Sequence, residues 1–168
     1  MTMLTPGRFI KALKRTPVLL DSLLCGVTQE RATAARDGAD GWNVVQIVCH
    51  LRDFDEVFFE RAQRLVAENH PVLPRVDHEV LARERDYAAQ QLDEVFAAFV
   101  AHRETFIDWL KARDEADWTR TGVHPEAGEY SLLEQALQVP CHDIDHLEQI
   151  ARVLALPCEE TSARFGVG

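Results

Sequence analysis

Residues 70–85 read His-Pro-Val-Leu-Pro-Arg-Val-Asp-His-Glu-Val-Leu-Ala-Arg-Glu-Arg. The two prolines and the lack of a sustained helical period predict a long connection here, with a short helical turn near Val80. A long crossover lets two successive helices run parallel, whereas short links make neighbours antiparallel. The length of this connection therefore determines whether the helices on either side of it run parallel or antiparallel.

The helix before the connection should begin at Asn43. The side chain of Asn43 can cap the first turn, and Gln46 stands at the reciprocal position of a capping box. The apolar pattern continues to about Glu68, and His70-Pro71 ends the helix because a residue before proline disfavours the helical conformation. We count this as the second long helix.

The third long helix should run from about Asp86 to Ala112. Its apolar residues recur three or four positions apart, which places them on one helical face. They are Leu92, Phe96, Phe99, Phe106 and Leu110. Residues 114–130, which are polar and contain two glycines and a proline, should form a loop.

The fourth helix should begin at the capping box formed by Ser131 and Glu134. It should end near Ala155, ahead of Pro157, and Pro140 should bend it.

The first helix has two candidate starts, Thr5-Pro6 and Thr16-Pro17, because each pair places a capping threonine before a proline. It should run to about Cys25.

Four long helices predict an all-α fold, a single four-helix bundle domain over residues 1–168. The long crossover between the second and third helices predicts an up-down-down-up order, in which the second and fourth helices are antiparallel.

Composition narrows the function. The chain has 168 residues, of which 46% are apolar, so we expect a folded core rather than disorder. A formal charge of −10 disfavours binding to nucleic-acid phosphates. No apolar run approaches the roughly 18 residues of a membrane span, and no signal-peptide pattern opens the chain. We therefore expect a cytoplasmic protein that binds neither nucleic acid nor membrane, and a homodimer is a further expectation.

His142-Asp-Ile-Asp-His146 places two imidazoles one helical turn apart on one face. Two imidazoles at this spacing can share a metal ion, although alone they are more often exposed or singly hydrogen-bonded. His50 lies about 10 Å along the second helix, and the antiparallel order brings it to a similar depth. Three neutral imidazoles with a vacant position are typical of a catalytic divalent metal site.

Two polar residues lie near the same faces. Asp53, three residues after His50, is a candidate fourth ligand, general base or partner of an imidazole, or else a solvated carboxylate. Gln149 points the same way as His142 and could bind substrate or a metal-bound water, or simply be polar. Arg61 and Arg103 fall on inward seams, where they should pair with acidic groups or line a pocket.

Four further histidines are weaker candidates. His102 should lie away from the metal level, while His70 and His124 should lie at the opposite end of the bundle. His78 ends the crossover near the metal end and stays a minor candidate.

The chain resembles the DinB/YfiT-like family of helical-bundle metalloproteins over nearly its whole length. The resemblance rests on Trp42-Asn43 with His50-Leu51-Arg52-Asp53, on Trp118 and Gly122-Val123-His124-Pro125 with Gly128 and Ser131, and on the segment 142–150. It implies an up-down-down-up bundle with His50, His142 and His146 as metal ligands, and nickel, zinc or iron as the ion.

The resemblance also implies a metal-dependent hydrolase, or a transferase or isomerase that uses a low-molecular-weight thiol such as mycothiol or bacillithiol. The ion would then activate water or the thiol for attack on a small-molecule substrate. The alternatives are a non-catalytic metal-binding or stress-response protein, and a bundle whose histidines are merely buried.

Overall fold

The computed structural model describes residues 5–155, most of which are helical. The helices are α1 (Pro6–Leu13), α2 (Arg15–Leu24), α3 (Gln29–Ala34), α4 (Val44–Ala67), α5 (His78–Glu84), α6 (Leu92–Lys111) and α7 (Leu132–Ala155). Two short strands, β1 (Thr121–His124) and β2 (Gly128–Ser131), pair as an antiparallel hairpin before α7. The predicted helix stop at Pro157 lies outside the described residues.

Each of the four antiparallel or parallel segments of the bundle is called an arm, and the first arm consists of two consecutive helices, α1 and α2. α1 starts after an extended Thr5, with Pro6 in its first turn. Thr16-Pro17 falls inside the first turn of α2 and starts no helix of its own. The hydroxyl of Thr16 instead donates a hydrogen bond to Asp143 at 2.6 Å. The start at Thr5-Pro6 is therefore correct, whereas Thr16 connects α2 to α7 through its hydrogen bond with Asp143.

The crossover between α4 and α6 is the long connection that residues 70–85 predict. α4 begins with the predicted capping box of Asn43 and Gln46. The turn near Val80 is confirmed as α5. α6 begins at Leu92, six residues later than predicted, because Asp86 has a left-handed backbone with φ 44° and interrupts the helical path.

The segment predicted as a polar loop contains the β1–β2 hairpin, so that part of the prediction is wrong. β1 also pairs with the start of the crossover, where Leu73 N donates to Val123 O at 2.9 Å and Val123 N donates to Pro71 O at 2.8 Å. A Cβ on Gly122 would lie 2.5 Å from Pro71 O, so glycine permits this close approach. Strands of four residues are too short to leave a clear period in the sequence.

Two apolar clusters divide the core along the bundle axis. One joins residues 44–51 of α4 with 92–99 of α6, 147–153 of α7 and Leu20 of α2. The other joins residues 58–65 of α4 with 106–110 of α6, 132–139 of α7, and Phe9 and Leu13 of α1. α4 and α6 therefore run parallel, while α7 and the α1–α2 arm run the opposite way. This confirms the all-α up-down-down-up bundle.

A buried ion network joins the four arms of the bundle. Arg103 of α6 is 1% exposed and donates to Asp55 of α4 at 2.7 Å. It also binds both carboxylate oxygens of Asp143 of α7, at 2.7 and 3.0 Å. Thr16 donates to the same Asp143 from α2. One buried cation thus fixes the position of Asp143, the residue that follows His142.

Within residues 5–155, no helix is both long enough and apolar enough to cross a membrane.

Candidate metal centre

Three histidines from two helices converge between α4 and α7. His50, His142 and His146 each offer a nitrogen, and these atoms lie within 4.8 Å of one another. Nε2 of His50 is 3.0 Å from Nε2 of His142. The His146 ring centroid lies 4.5 Å from each of the other two rings. The antiparallel packing of α4 and α7 brings the three predicted ligands to one place.

Burial keeps these imidazoles neutral. Loss of hydration, together with the neighbouring histidines, lowers the pKa of His50 to about 2. Burial likewise lowers the pKa of His142 to about 3. The pKa of His146 is also lowered, chiefly by burial, although its hydrogen bond with Gln149 acts in the opposite direction. At neutral pH each ring therefore has a free lone pair for a cation.

The spacing suits a divalent ion. Ligand bonds of about 2.1 Å place neighbouring nitrogens roughly 3.0 to 3.4 Å apart, and the His50–His142 pair meets this requirement. The buried Nδ1 atoms of both rings have no hydrogen-bond partner among the described residues. Aromatic packing orients them instead, since the Phe54 centroid lies 4.2 Å from that of His50 and 5.4 Å from that of His142. A set of neutral imidazoles suits zinc, nickel or iron.

A chain of polar contacts orients the third ring. His146 Nδ1 is 2.8 Å from Gln149 Oε1, and Gln149 Nε2 donates to Asp37 at 2.9 Å. Asp37 also accepts two hydrogen bonds from Arg152, which lower its pKa. Because Gln149 Oε1 is an acceptor, the proton of His146 lies on Nδ1, which leaves the lone pair on Nε2 free for a cation.

The sequence leaves Gln149 either as a contact to substrate or metal-bound water or as a plain polar group. Both polar ends of its side chain are occupied, by His146 and by Asp37, although the residue also borders the cavity beside the histidines. Sequence reasoning missed Asp37, which lies in the loop between α3 and α4 and carries no local signal of this contact.

Asp53 forms ion pairs with two arginines. It is fully buried and accepts hydrogen bonds from Arg52 at 2.6 Å and from Arg85 at 2.8 Å. It borders neither of the cavities that reach the histidines. Since Arg85 follows α5, this ion pair ties the crossover to α4.

Two cavities reach the histidines. The first, of about 460 Å³, borders all three and is called the histidine cavity below. The second, of about 430 Å³, is lined by Arg61 and His124 and is called the arginine cavity. Four residues border both cavities: Phe54, His78, Glu79 and His142. The two cavities therefore meet at the candidate metal centre.

The positions of His78 and His124 refine the sequence interpretation. His78, a minor candidate, lies at the shared wall with its ring 6.1 Å from that of His50. His124 lies towards the end of the bundle away from His50, as expected, because it contacts Arg61 and Tyr130 beside the second apolar cluster. The arginine cavity that it lines nevertheless reaches His142. His102 contacts Glu56 at 3.2 Å, and it borders neither cavity.

Known proteins resemble this chain in sequence and in fold. The model of the family described as the DinB superfamily matches residues 12–150. A protein of Oceanobacillus iheyensis is 26% identical over 145 residues, which cover 86% of this chain and 83% of that protein. A protein of Geobacillus kaustophilus is 28% identical over 146 residues, covering 85% and 80%. Both carry the name "putative metal-dependent hydrolase".

A solved structure shares the fold. YfiT from Bacillus subtilis, described as "a probable metal-dependent hydrolase with an unusual four-helix bundle topology", superposes with a TM-score of 0.81. The match covers 100% of this chain and 91% of YfiT at 19% identity. At that identity the likeness establishes the fold alone.

Proposed function

Because the chain belongs to the DinB superfamily, we propose that it is a metal-dependent hydrolase whose divalent ion is held by His50, His142 and His146. One observation carries the proposal: three neutral imidazole nitrogens converge beside a cavity of about 460 Å³. A ligand set of three histidines leaves coordination positions open, and the cavity gives a small molecule access to them.

The chemistry needs an activated nucleophile at neutral pH. A divalent ion bound there supplies Lewis acidity, which lowers the pKa of a water or thiol in contact with it. The protein contributes the orientation of its ligands: Gln149 and Asp37 hold His146, while Phe54 packs on the other two rings. His78, at the wall shared by both cavities, is the proposed proton carrier to the leaving group.

Asp53 receives a different role in this proposal. Its carboxylate anchors Arg85 and so keeps α5, which begins at His78, beside the cavity. We therefore assign it to positioning rather than to general base catalysis. Exchange of Asp53 for Asn should raise KM and leave the metal content unchanged, because no ligand atom is lost.

Metal content tests the ligand set. Protein without a histidine tag should be loaded separately with nickel, zinc and iron and analysed for bound metal. Wild type should bind about one ion per chain, and His50→Gln, His142→Gln and His146→Gln should lose most of it. His102→Gln, which alters a partly exposed histidine outside both cavities, is the matched control. Stoichiometric metal in the three variants would rule out the proposed ligands.

Activity tests the reaction. A panel of small esters and amides should be assayed with water alone and with a low-molecular-weight thiol, before and after chelation. Hydrolysis that disappears with chelator and with His142→Gln supports the proposal. Turnover that requires the thiol would reassign the chain to S-transfer, and bound metal without any turnover would favour the non-catalytic alternative. A homodimer stays a prediction, which sedimentation equilibrium can test.

A further inference from the structure

The arginine cavity contains a buried cation, Arg61, on which Glu60 and Glu126 act from a distance but with which no carboxylate of the described residues is in direct contact. Arg61 of α4 is 5% exposed. Its Nη2 donates to Pro74 O at 2.9 Å, and its buried Nε has no hydrogen-bond partner among the described residues. Within residues 5–155 no carboxylate forms an ion pair with this guanidinium. A buried charge in this state is costly unless a ligand neutralises it.

The contacts of His124 show that this site has too many hydrogen-bond donors. Backbone N–H groups of Glu126 and Ala127 both point at Nδ1 of His124, at 3.2 Å. They require a lone pair on Nδ1, which leaves the proton of the neutral ring on Nε2. That Nε2 lies 3.1 Å from Nη1 of Arg61, which can only donate. Two donors therefore face each other, and an acceptor from outside the protein would satisfy both.

The charges of the cavity favour an acceptor with one negative charge over an acceptor with two. Besides Arg61, the lining residues include one exposed arginine, Arg75, and three exposed carboxylates, Asp77, Glu79 and Glu126. These groups carry a net negative charge, so they repel a dianion such as a phosphate ester about twice as strongly as a monoanion. The hydrogen bonds from Arg61 and His124 have less repulsion to offset if the ligand carries one negative charge. The two oxygens of a planar carboxylate can accept from Nη1 of Arg61 and from Nε2 of His124, which lie 3.1 Å apart.

We propose that the arginine cavity binds a carboxylate group of the substrate, with Arg61 and His124 Nε2–H as its donors. His142 and Phe54 border both cavities, so one small molecule can place its carboxylate beside Arg61 and its reacting group beside the histidines. The substrate class is therefore a small ester or amide that carries a free carboxylate. The part of this inference that concerns the reacting group rests on the proposed function, whereas binding of the carboxylate beside Arg61 needs no metal.

Acetate is the first probe, and the metal-free full chain is the sample. The Nε–Hε signal of Arg61 can be followed in 1H–15N spectra and assigned by its loss in Arg61→Lys. Acetate should shift this signal saturably, with an affinity in about the millimolar range, at an ionic strength held constant with sodium chloride. Absence of a saturable shift, or a stronger response to inorganic phosphate than to acetate, would overturn the proposal.

Matched variants distinguish acetate binding at Arg61 from a general effect of positive charge on the protein. Arg61→Met should weaken acetate binding about ten-fold or more, and Arg61→Lys should restore part of it. Arg64→Met is the control, because Arg64 lies one turn later on α4 and pairs with Glu68 at the surface. Its acetate affinity should equal that of wild type. For Arg61→Met, binding can be followed through the amide signals of Glu126 and Ala127. Equal weakening by Arg64→Met would reduce the effect to a bulk charge and contradict the site.

A second probe tests whether one molecule can occupy both cavities. Monohydroxamates of succinate, glutarate and adipate, which chelate metal ions, should be compared with their methyl esters on the metal-loaded protein. At the best chain length the free acid should bind at least about ten-fold tighter than its ester, and Arg61→Met should remove this difference. Equal affinities of acid and ester in wild type would overturn the substrate class. If acetate binds but no hydroxamate does, the carboxylate site stands and the metal function fails.

Discussion

His146 and Gln149 lie one helical turn apart on α7 and form a hydrogen bond of 2.8 Å between Nδ1 and Oε1. The amide of Gln149 then donates to Asp37, which belongs to the loop before α4. A residue far away in sequence therefore controls which nitrogen of His146 carries the proton. Four experiments follow from this and from other contacts of the bundle.

Removing the support of His146 should weaken metal binding without removing a ligand. We expect Gln149→Leu or Asp37→Asn to lower metal affinity about 10- to 100-fold, because the imidazole loses its fixed orientation. Competition with a chromophoric chelator measures this. Glu148→Gln, an exposed neighbour that pairs with Arg152, should leave the affinity unchanged. An unchanged affinity in both support variants would mean that packing alone orients His146.

The buried network around Arg103 should dominate stability. Arg103→Met leaves the carboxylates of Asp55 and Asp143 buried without their cation, which should cost about 3 to 5 kcal/mol in urea unfolding. Lys111→Met removes an exposed cation of the same helix, paired with Asp108, and should cost less than about 1 kcal/mol. Similar losses in the two variants would argue against the network as the link between the arms.

The close contact between Gly122 and Pro71 predicts that even a methyl side chain at position 122 is too large. In Gly122→Ala the new methyl group would meet the carbonyl oxygen of Pro71 at 2.5 Å, so β1 and the crossover must separate. We expect a loss of about 1 to 3 kcal/mol in the free energy of unfolding. Gly7→Ala is the counterpart, since no atom lies within 4 Å of its Cβ, and it should be neutral or slightly stabilising. Equal free energies of unfolding for Gly122→Ala and Gly7→Ala would show that Gly122 is not in close contact with Pro71.

Acid should destabilise the metal-free protein through its buried histidines. Burial lowers the pKa of His50 to about 2 and of His142 to about 3 in the folded chain, whereas both should be near about 6.5 when unfolded. As pH falls below about 6.5, the unfolded state gains protons that the folded state excludes, so stability falls until about pH 3. Each histidine should contribute a slope of about 1.4 kcal/mol per pH unit.

Urea unfolding of metal-free wild type and of the double variant His50→Gln/His142→Gln, at several pH values, isolates this effect. The variant should lose less stability between pH 7 and 5 than wild type, because its glutamines do not titrate. Parallel curves for the two proteins would show that the histidines are not the groups responsible.

Much of this protein could be read from local patterns. The capping boxes at Asn43 and Ser131 start α4 and α7 as predicted, because a cap is a contact between residues three apart. The length of the crossover determined the helix order, since a short link cannot bring α4 and α6 parallel. That order, with the spacing of His142 and His146, was enough to bring His50 to the same level.

The rest depended on contacts between distant segments. The left-handed Asp86 and the short β1–β2 hairpin leave no periodic signal, and the hairpin is what carries His124 to the cavity beside His142. The sequence left open whether Arg61 and Arg103 pair with acids or line a pocket. Tertiary packing places two carboxylates in direct contact with Arg103, whereas within the described residues Glu60 and Glu126 act on Arg61 only from a distance. Periodicity can show that a charge faces inward, but its partner is decided by which other helix lies against it.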